Sequence, residues 1–199
     1  MKTAVQIGTN TPTDSDPLWP LCLEGKFDYI HLIEPSDIHN DAIAALYDGY
    51  CHEIHNIAIT PDPDMREARL YDLSANTSHN SLVKRLSHPW REGGGDLRFE
   101  MVPCMTLGLF CDIHKIQSVD LLCIDTEGLD SEIILSIDFV KIQIKEMIWE
   151  TWDHEDDDEN GAYRTGIDIH NEVLAKLEHY GYTVSACGIE NLRAVKEQL

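Results

Sequence analysis

Apolar residues fall along this chain in short dense runs, separated by stretches in which they recur every three or four positions. Val119, Leu121, Leu122, Cys123 and Ile124 make a run too short for a helix and too apolar for an exposed strand, which predicts a central strand covered on both faces. Similar runs predict strands at 4–7, 29–33, 54–59, 97–102 and 145–149, with a further strand at 67–73 returning from the third as a hairpin. Helical spacing appears after Ser36, a candidate cap, through Ile38, Ala42, Ala45 and Leu46. It recurs at Thr106, Leu107, Leu109, Phe110 and Ile113, and again at Ile133, Ile134 and Leu135 behind Gly128. Ile169, Val173, Leu174 and Leu177 share one face of a helix over 167–180 that Gly181 ends as a C-cap. Segments 182–186 and 192–195 then pair as a terminal antiparallel hairpin. Strands alternating with helices argue for an α/β fold, a doubly wound and mostly parallel sheet with its ligand across the carboxyl edge.

What leaves the ends of those strands is chemically uniform. Strand 4–7 runs into Gly8-Thr9-Asn10, strand 29–33 into Glu34-Pro35-Ser36, strand 119–124 into Asp125-Thr126-Glu127-Gly128, and strand 145–149 into Glu150. A glycine turn directly after a strand is where nucleotide-binding α/β folds approach their ligand, and an acid about 25 residues further on suits a ribose. Each feature alone has a plain reading: an ordinary turn, a water-facing acid, acids favouring a helix N-terminus. Between the strands, residues 14–26 carry Pro17 and Pro20 and predict a short or broken helix, while Pro61 and Pro63 force a turn. Segment 74–96 has no periodicity and holds His79, His88, Trp90 and Arg91, which points to a substrate-covering loop. The run 154–160 is nearly pure charge and reads as a solvated loop.

Composition narrows the partners. With 15 Lys and Arg against 36 Asp and Glu, a net charge of −21 repels phosphate backbones and anionic membranes, so neither nucleic acid nor a membrane is expected as a partner. The 199 residues suit one domain spanning 1–199. Six cysteines, none in a CxxC pair, read as reduced. The first residues read as a strand rather than a signal peptide, and no run approaches the roughly 18 apolar residues that span a bilayer, so a cytoplasmic protein is expected.

Taken in order, Val5-Gln6-Ile7-Gly8-Thr9-Asn10, Ile33-Glu34-Pro35, Cys104-Met105-Thr106-Leu107, the block from Val119 to Gly128 and Ile148-Trp149-Glu150 resemble the FkbM-type methyltransferases, a branch of the class I S-adenosylmethionine-dependent fold. The Ile-Asp-Thr-Glu-Gly block is the specific part; Thr11-Pro12 stands where a second glycine is common. The resemblance implies a seven-stranded sheet with its last strand reversed. It implies that S-adenosylmethionine lies along Ile7, Gly8, Thr9 and Asn10, with its ribose on Glu34 beside Pro35, its adenine near Ala58 and its amino acid end at Asp125 and Thr126. Members typically methylate hydroxyl oxygens, often on sugars, so the expected partner is a small hydroxyl acceptor. Glu127 and Glu150, with Asp125 beside them, are the candidates for substrate binding and general base, His79 or His88 standing as substitutes. A second version sets Mg²⁺ between Asp125, Glu150 and Asp153, whose hard oxygen donors suit that ion. Two other classes stay open: a nicotinamide-dependent oxidoreductase, because Gly8 and Glu34 serve that cofactor too, and a non-catalytic binding protein on the same fold.

Overall fold

The computed structural model describes residues 1–10, 18–72, 80–82, 98–151, 167–187 and 191–197. Its strands, in chain order, are β1 (Thr3–Ile7), β2 (Tyr29–Ile33), β3 (His52–His55), β4 (Ala58–Ile59), β5 (Glu67–Asp72), β6 (Arg98–Met105), β7 (Ser118–Ile124), β8 (Gln143–Glu150), β9 (Tyr182–Ala186) and β10 (Asn191–Lys196). The helices are α1 (Trp19–Leu23), α2 (Asn40–Leu46), α3 (Leu107–His114), α4 (Asp130–Ser136) and α5 (Ile167–His179), with a 3-10 turn at Asp37–His39. Seven strands form one sheet in the order β3-β2-β1-β7-β8-β10-β9. Every neighbouring pair is parallel except β10 with β8 and with β9, so β10 is the one reversed strand of this sheet. Strand order turns outward in both directions from β1 and β7, which makes their carboxyl ends the switch point where such sheets open a crevice.

Strand periodicity divides the core between two faces. Val5 and Ile7 of β1, with Leu122, Ile124 and Trp149, pack under α3, α4 and α5. Ala4, Leu121, Cys123 and Ile148, one residue out of phase, pack with Leu18, Cys22, Ile43 and Tyr47 from the α1 and α2 side. Neighbouring side chains on a strand point to opposite faces, so a strand covered on both is apolar over most of its length: β7 is wholly apolar from Leu121 to Ile124, and within β1 the buried Gln6 accepts from Tyr47 Oη at 3.4 Å.

Three expectations are corrected. The segment 54–59 is not one strand: Ile57 N donates to His55 O at 3.0 Å, a tight turn at Asn56 that ends β3 and swings the chain out of the main sheet. Asn56 fixes the break, its Nδ2 donating to Glu34 O (3.0 Å) while its amide pairs reciprocally with that of Asn40 at 2.9 Å. The hairpin from that segment is also absent. β4 and β5 instead flank β6 in a second, three-stranded sheet, β4 parallel and β5 antiparallel to it. β6 runs past its expected end through Pro103, because Cys104 N faces β5, where it meets Arg66 O at 2.9 Å. The Pro103 nitrogen therefore faces the β4 side, whose ladder begins only at Cys104. Third, Ser36 makes no side-chain cap; its backbone N–H is drawn to the Glu34 carboxylate at 3.0 Å.

All six cysteines are free thiols. Among the described residues, no helix is long and apolar enough to cross a membrane.

Candidate functional site

Chain and backbone geometry converge where β1 ends. Gly8 has φ +79°, and a Cβ placed on it would lie 1.7 Å from the Asp125 carbonyl oxygen, so the turn after β1 closes against the end of β7 only because residue 8 lacks a side chain. Asp125 N donates to Ile7 O at 2.9 Å, and the N–H groups of Gly8 and Thr9 both reach Ile33 O, at 2.9 and 3.2 Å. Three strand ends are thereby locked together.

Glu34 continues this lock with its side chain. It is 4% exposed, and its two carboxylate oxygens accept from Asn10 N (2.8 Å) and Ser36 N (3.0 Å). Burial pushes its carboxyl up to about 7, against the pull of those two N–H groups and with Glu100 adding to the rise. Each oxygen keeps a lone pair for a further donor, so the group remains able to hold hydroxyls. Asn10 adopts φ +49°, a left-handed conformation that asparagine tolerates better than most residues.

After β7 the loop is held from within. Thr126 Oγ1 donates to Asp130 Oδ2 at 2.7 Å and accepts from Leu129 N at 3.1 Å, while Thr126 N also reaches Asp130 Oδ2 at 3.2 Å. This reciprocal arrangement closes the loop leading into α4, whose N-cap residue Leu129 makes no side-chain cap of its own. Asp130 is 3% exposed, and burial raises its carboxyl despite the Thr126 bonds. Glu127 sits at φ +56° and its carbonyl accepts from Ser81 Oγ at 2.8 Å. That bond ties residues 80–82 to the loop, and Ser81 bridges back to Tyr71 of β5.

Together these segments line a hollow of about 610 Å³, counting the space open at its mouth. Its floor is Ile7, Gly8 and Asn10; Ile33, Glu34 and Pro35 form one side, and Asp125, Thr126 and Glu127 the other. Ile57, Ala58, Ile59 and Leu70 supply an apolar wall, and Asn80 and Leu82 close it from above.

Of the residues expected from sequence, Ile7, Gly8, Asn10, Glu34, Pro35, Ala58, Asp125, Thr126 and Glu127 line this one hollow. Thr9 does not: it is buried, its hydroxyl 3.5 Å from Ile33 O. Nor does Glu150, although Ile124 and Trp149 are paired in register and bring it out beside Asp125 on the neighbouring strand. Asp153, the third ligand of the Mg²⁺ version, lies outside the described residues, as do His79, His88, Trp90 and Arg91 and the acidic run 154–160. Of the segment 74–96 only 80–82 are described, and two of the three line the hollow. Sequence reading missed Leu70, Asn80 and Leu82, which carry no motif, and Asp130, whose spacing of four from Thr126 in the Asp-Thr-Glu-Gly-Leu-Asp stretch was the available signal.

The walls combine a buried carboxylate at one strand end, apolar side chains beside it and a polar loop at the switch point, a lining able to take hydroxyl groups and a flat ring. A family model described as the methyltransferase FkbM domain matches residues 7–184. Among solved structures, methyltransferase FkbM from Methylobacillus flagellatus KT is similar with a TM-score of 0.51 and 13% sequence identity, over 98% of this chain and 43% of that one. The methyltransferase domain of bacterial CtHen1 is similar with a TM-score of 0.43 and 12% identity, over 98% of this chain and 88% of that one. This chain thus spans less than half the length of the Methylobacillus structure. No curated protein sequence matches. With the family match running from the end of β1 into the terminal hairpin, the chain belongs to the FkbM methyltransferase family, whose chemistry implies S-adenosylmethionine as methyl donor.

Proposed function

We propose that this protein binds S-adenosylmethionine in the hollow between β1, β2 and β7 and methylates a hydroxyl oxygen of a small acceptor, a sugar being the leading class. The observation that carries the reading is the carboxylate of Glu34, buried at the end of β2 yet lining the same space as Gly8, Asp125 and the apolar wall at 57–59. A buried acid is costly unless something uses it. Here two backbone N–H groups orient it and leave acceptor capacity for ribose hydroxyls.

When bound, the cofactor would supply a methyl carbon activated by its positive sulfur, which would leave with the carbon–sulfur electron pair. The protein has two tasks: to hold the oxygen in line, and to take the hydroxyl proton. Orientation supplies most of the rate, and a base adds about 10²–10⁴-fold. Glu127 lines the hollow on a loop pinned by Ser81 and is our first assignment for the base; Glu150, emerging beside Asp125, is the second. Asp125 and Thr126 would face the amino acid end of the cofactor, and Gly8, Asn10 and Glu34 would hold the nucleoside.

Isothermal titration with S-adenosylmethionine, and in parallel with a nicotinamide dinucleotide, tests the cofactor. The reading expects saturable binding of the first alone, and binding of the second alone would favour an oxidoreductase. Asp125→Asn is expected to abolish cofactor binding or turnover, and a fully active variant would remove Asp125 from the site. A mass-spectrometric search for a gain of one CH₂ across sugars and small hydroxy compounds identifies the acceptor. Cofactor binding with no product in a broad panel would favour a binding protein.

A further inference from the structure

A second cluster of chemistry-bearing side chains lies on the sheet edge, away from the residues that line the hollow. β2 and β3 are parallel neighbours in which His31 is paired with Glu53 and Ile33 with His55. Two-residue alternation puts Glu53 and His55 on the same face of β3, and His31 projects to that face too, since its neighbours Ile30 and Leu32 pack on the opposite side with α2. Over this face lies α3, whose Phe110 meets the rings of His31 and His55 at centroid distances of 5.6 and 4.9 Å. One turn later the helix ends at His114, 4.6 Å from the His55 ring and 5.6 Å from the His31 ring.

We propose that His31, Glu53, His55 and His114 form a binding site for one divalent transition-metal ion, zinc by its donor set, which ties the β2–β3 edge of the sheet to the end of α3. Each residue offers one donor atom, and all four atoms lie within 4.8 Å of one another. His31 Nδ1 is 3.0 Å from His55 Nε2, and Glu53 Oε2 is 4.0 and 3.7 Å from those two nitrogens. Zinc bonds of about 2.0–2.2 Å in a tetrahedron set donors roughly 3.3 Å apart, so the widest pair must close by about 1.5 Å while the tightest already fits. Rotation of side chains at a strand edge and a helix terminus can supply that.

The donor set also selects the ion. Three imidazoles and one carboxylate suit zinc and its transition-metal neighbours, whereas calcium and magnesium prefer all-oxygen sites. Imidazole must be neutral to ligate; burial foremost, then the neighbouring imidazoles, push His31 down to about 4, and burial lowers His55 as well. Tyr29 OH donates to the same Glu53 oxygen at 3.3 Å, the kind of outer contact that orients a ligating carboxylate. Glu53 is 46% exposed, which leaves a way in for the ion. Four protein donors fill a tetrahedron and leave no open position, so the ion's role is structural. Its effect reaches the hollow through the chain: β2 passes from His31 to Glu34, and His55 stands two residues before Ile57 at the apolar wall.

The full chain, stripped with a chelator and dialysed, is titrated with Zn²⁺ by calorimetry and with Co²⁺ by visible absorption. The proposal expects one equivalent bound, a tetrahedral Co²⁺ spectrum and a rise in Tm on adding Zn²⁺. His114→Ala and Glu53→Ala remove the two more accessible donors, and circular dichroism checks that each folds; should one unfold, the other decides. Each is expected to weaken binding by about 100-fold or more, since even outer contacts of a metal site are worth about 10–100-fold. Absence of saturable binding, or binding of unchanged affinity in a folded variant, overturns the proposal; the latter would place the ion elsewhere on this acidic surface.

Discussion

Gly8 offers the sharpest test of how the site is built. Substitution by alanine imposes two separate costs. At φ +79° any L side chain is strained by about 1–2 kcal/mol, the usual penalty for left-handed backbone. The new Cβ would also lie 1.7 Å from Asp125 O and 2.7 Å from Asp125 C, where ordinary contact begins near 3.4 Å. Both atoms are backbone, so relief requires the ends of β1 and β7 to part and strains the 2.9 Å bond from Asp125 N to Ile7 O. Overpacking of this kind costs about 1–3 kcal/mol. Gly8→Ala should therefore destabilise by about 2–5 kcal/mol in total. Gly181, at φ +80° with nothing within 4 Å of its added Cβ, carries the strain without the clash and should lose only about 1–2 kcal/mol. Urea unfolding followed by tryptophan fluorescence compares them, because Trp149 lies fully buried in the core. Gly8→Ala should also weaken S-adenosylmethionine binding in calorimetry, while Gly181→Ala should not. Equal destabilisation by the two substitutions, with cofactor affinity intact, would refute the reasoning.

Glu34 predicts a pH dependence: between about 4.5 and 7 the folded chain keeps a proton that the unfolded chain has lost, so its contribution is full below pH 4.5 and disappears as pH rises through about 7, a loss of about 3 kcal/mol. His31, held down at about 4, acts in the opposite sense, stability growing as pH rises from there towards 6.5, so the quantity to measure is the difference between wild type and Glu34→Gln by denaturant unfolding across that range. Parallel curves would contradict it. Thr126→Val deprives buried Asp130 of its 2.7 Å donor and Leu129 N of its acceptor, and should cost about 1–3 kcal/mol in thermal unfolding, with Thr126→Ser restoring most of it. Lys176 Nζ donates to Leu135 O and Ile137 O, both at 2.7 Å, fastening α5 to the carboxyl end of α4, so Lys176→Met should lower stability by about 1–3 kcal/mol in the same assay.

The two sheets show why some of this was legible in the sequence and some was not. β1, β2 and β7 are covered on both faces over most of their length, and the dense apolar runs that this demands are written locally, as is the Met147–Trp149 end of β8; so are the glycine turn and the acids at their ends. β4 and β5 gave no such guide, because their register partners in β6 lie 46 residues beyond β4 and 26 to 36 beyond β5, and a short strand does not declare which edge it will join. The break at Asn56 is likewise set by an amide pair with Asn40 and by the Glu34 carbonyl, contacts invisible at the level of spacing. Glu53-Ile54-His55 showed an alternation that puts two donors on one face, yet nothing in the sequence brought His31 and His114 to them.

By itself, then, the chain's pattern of apolar runs and strand-end residues determined a doubly wound sheet with Gly8, Glu34 and Asp125 at one edge, because burial period and turn chemistry act over a few residues. Tertiary structure alone decided which side chains share a space: that Leu70, Asn80 and Leu82 line the hollow, that Thr9 turns away from it, and that three histidines and a glutamate meet at the end of α3. Those outcomes depend on register between distant strands and on where a helix ends, and both are settled only when the whole sheet packs.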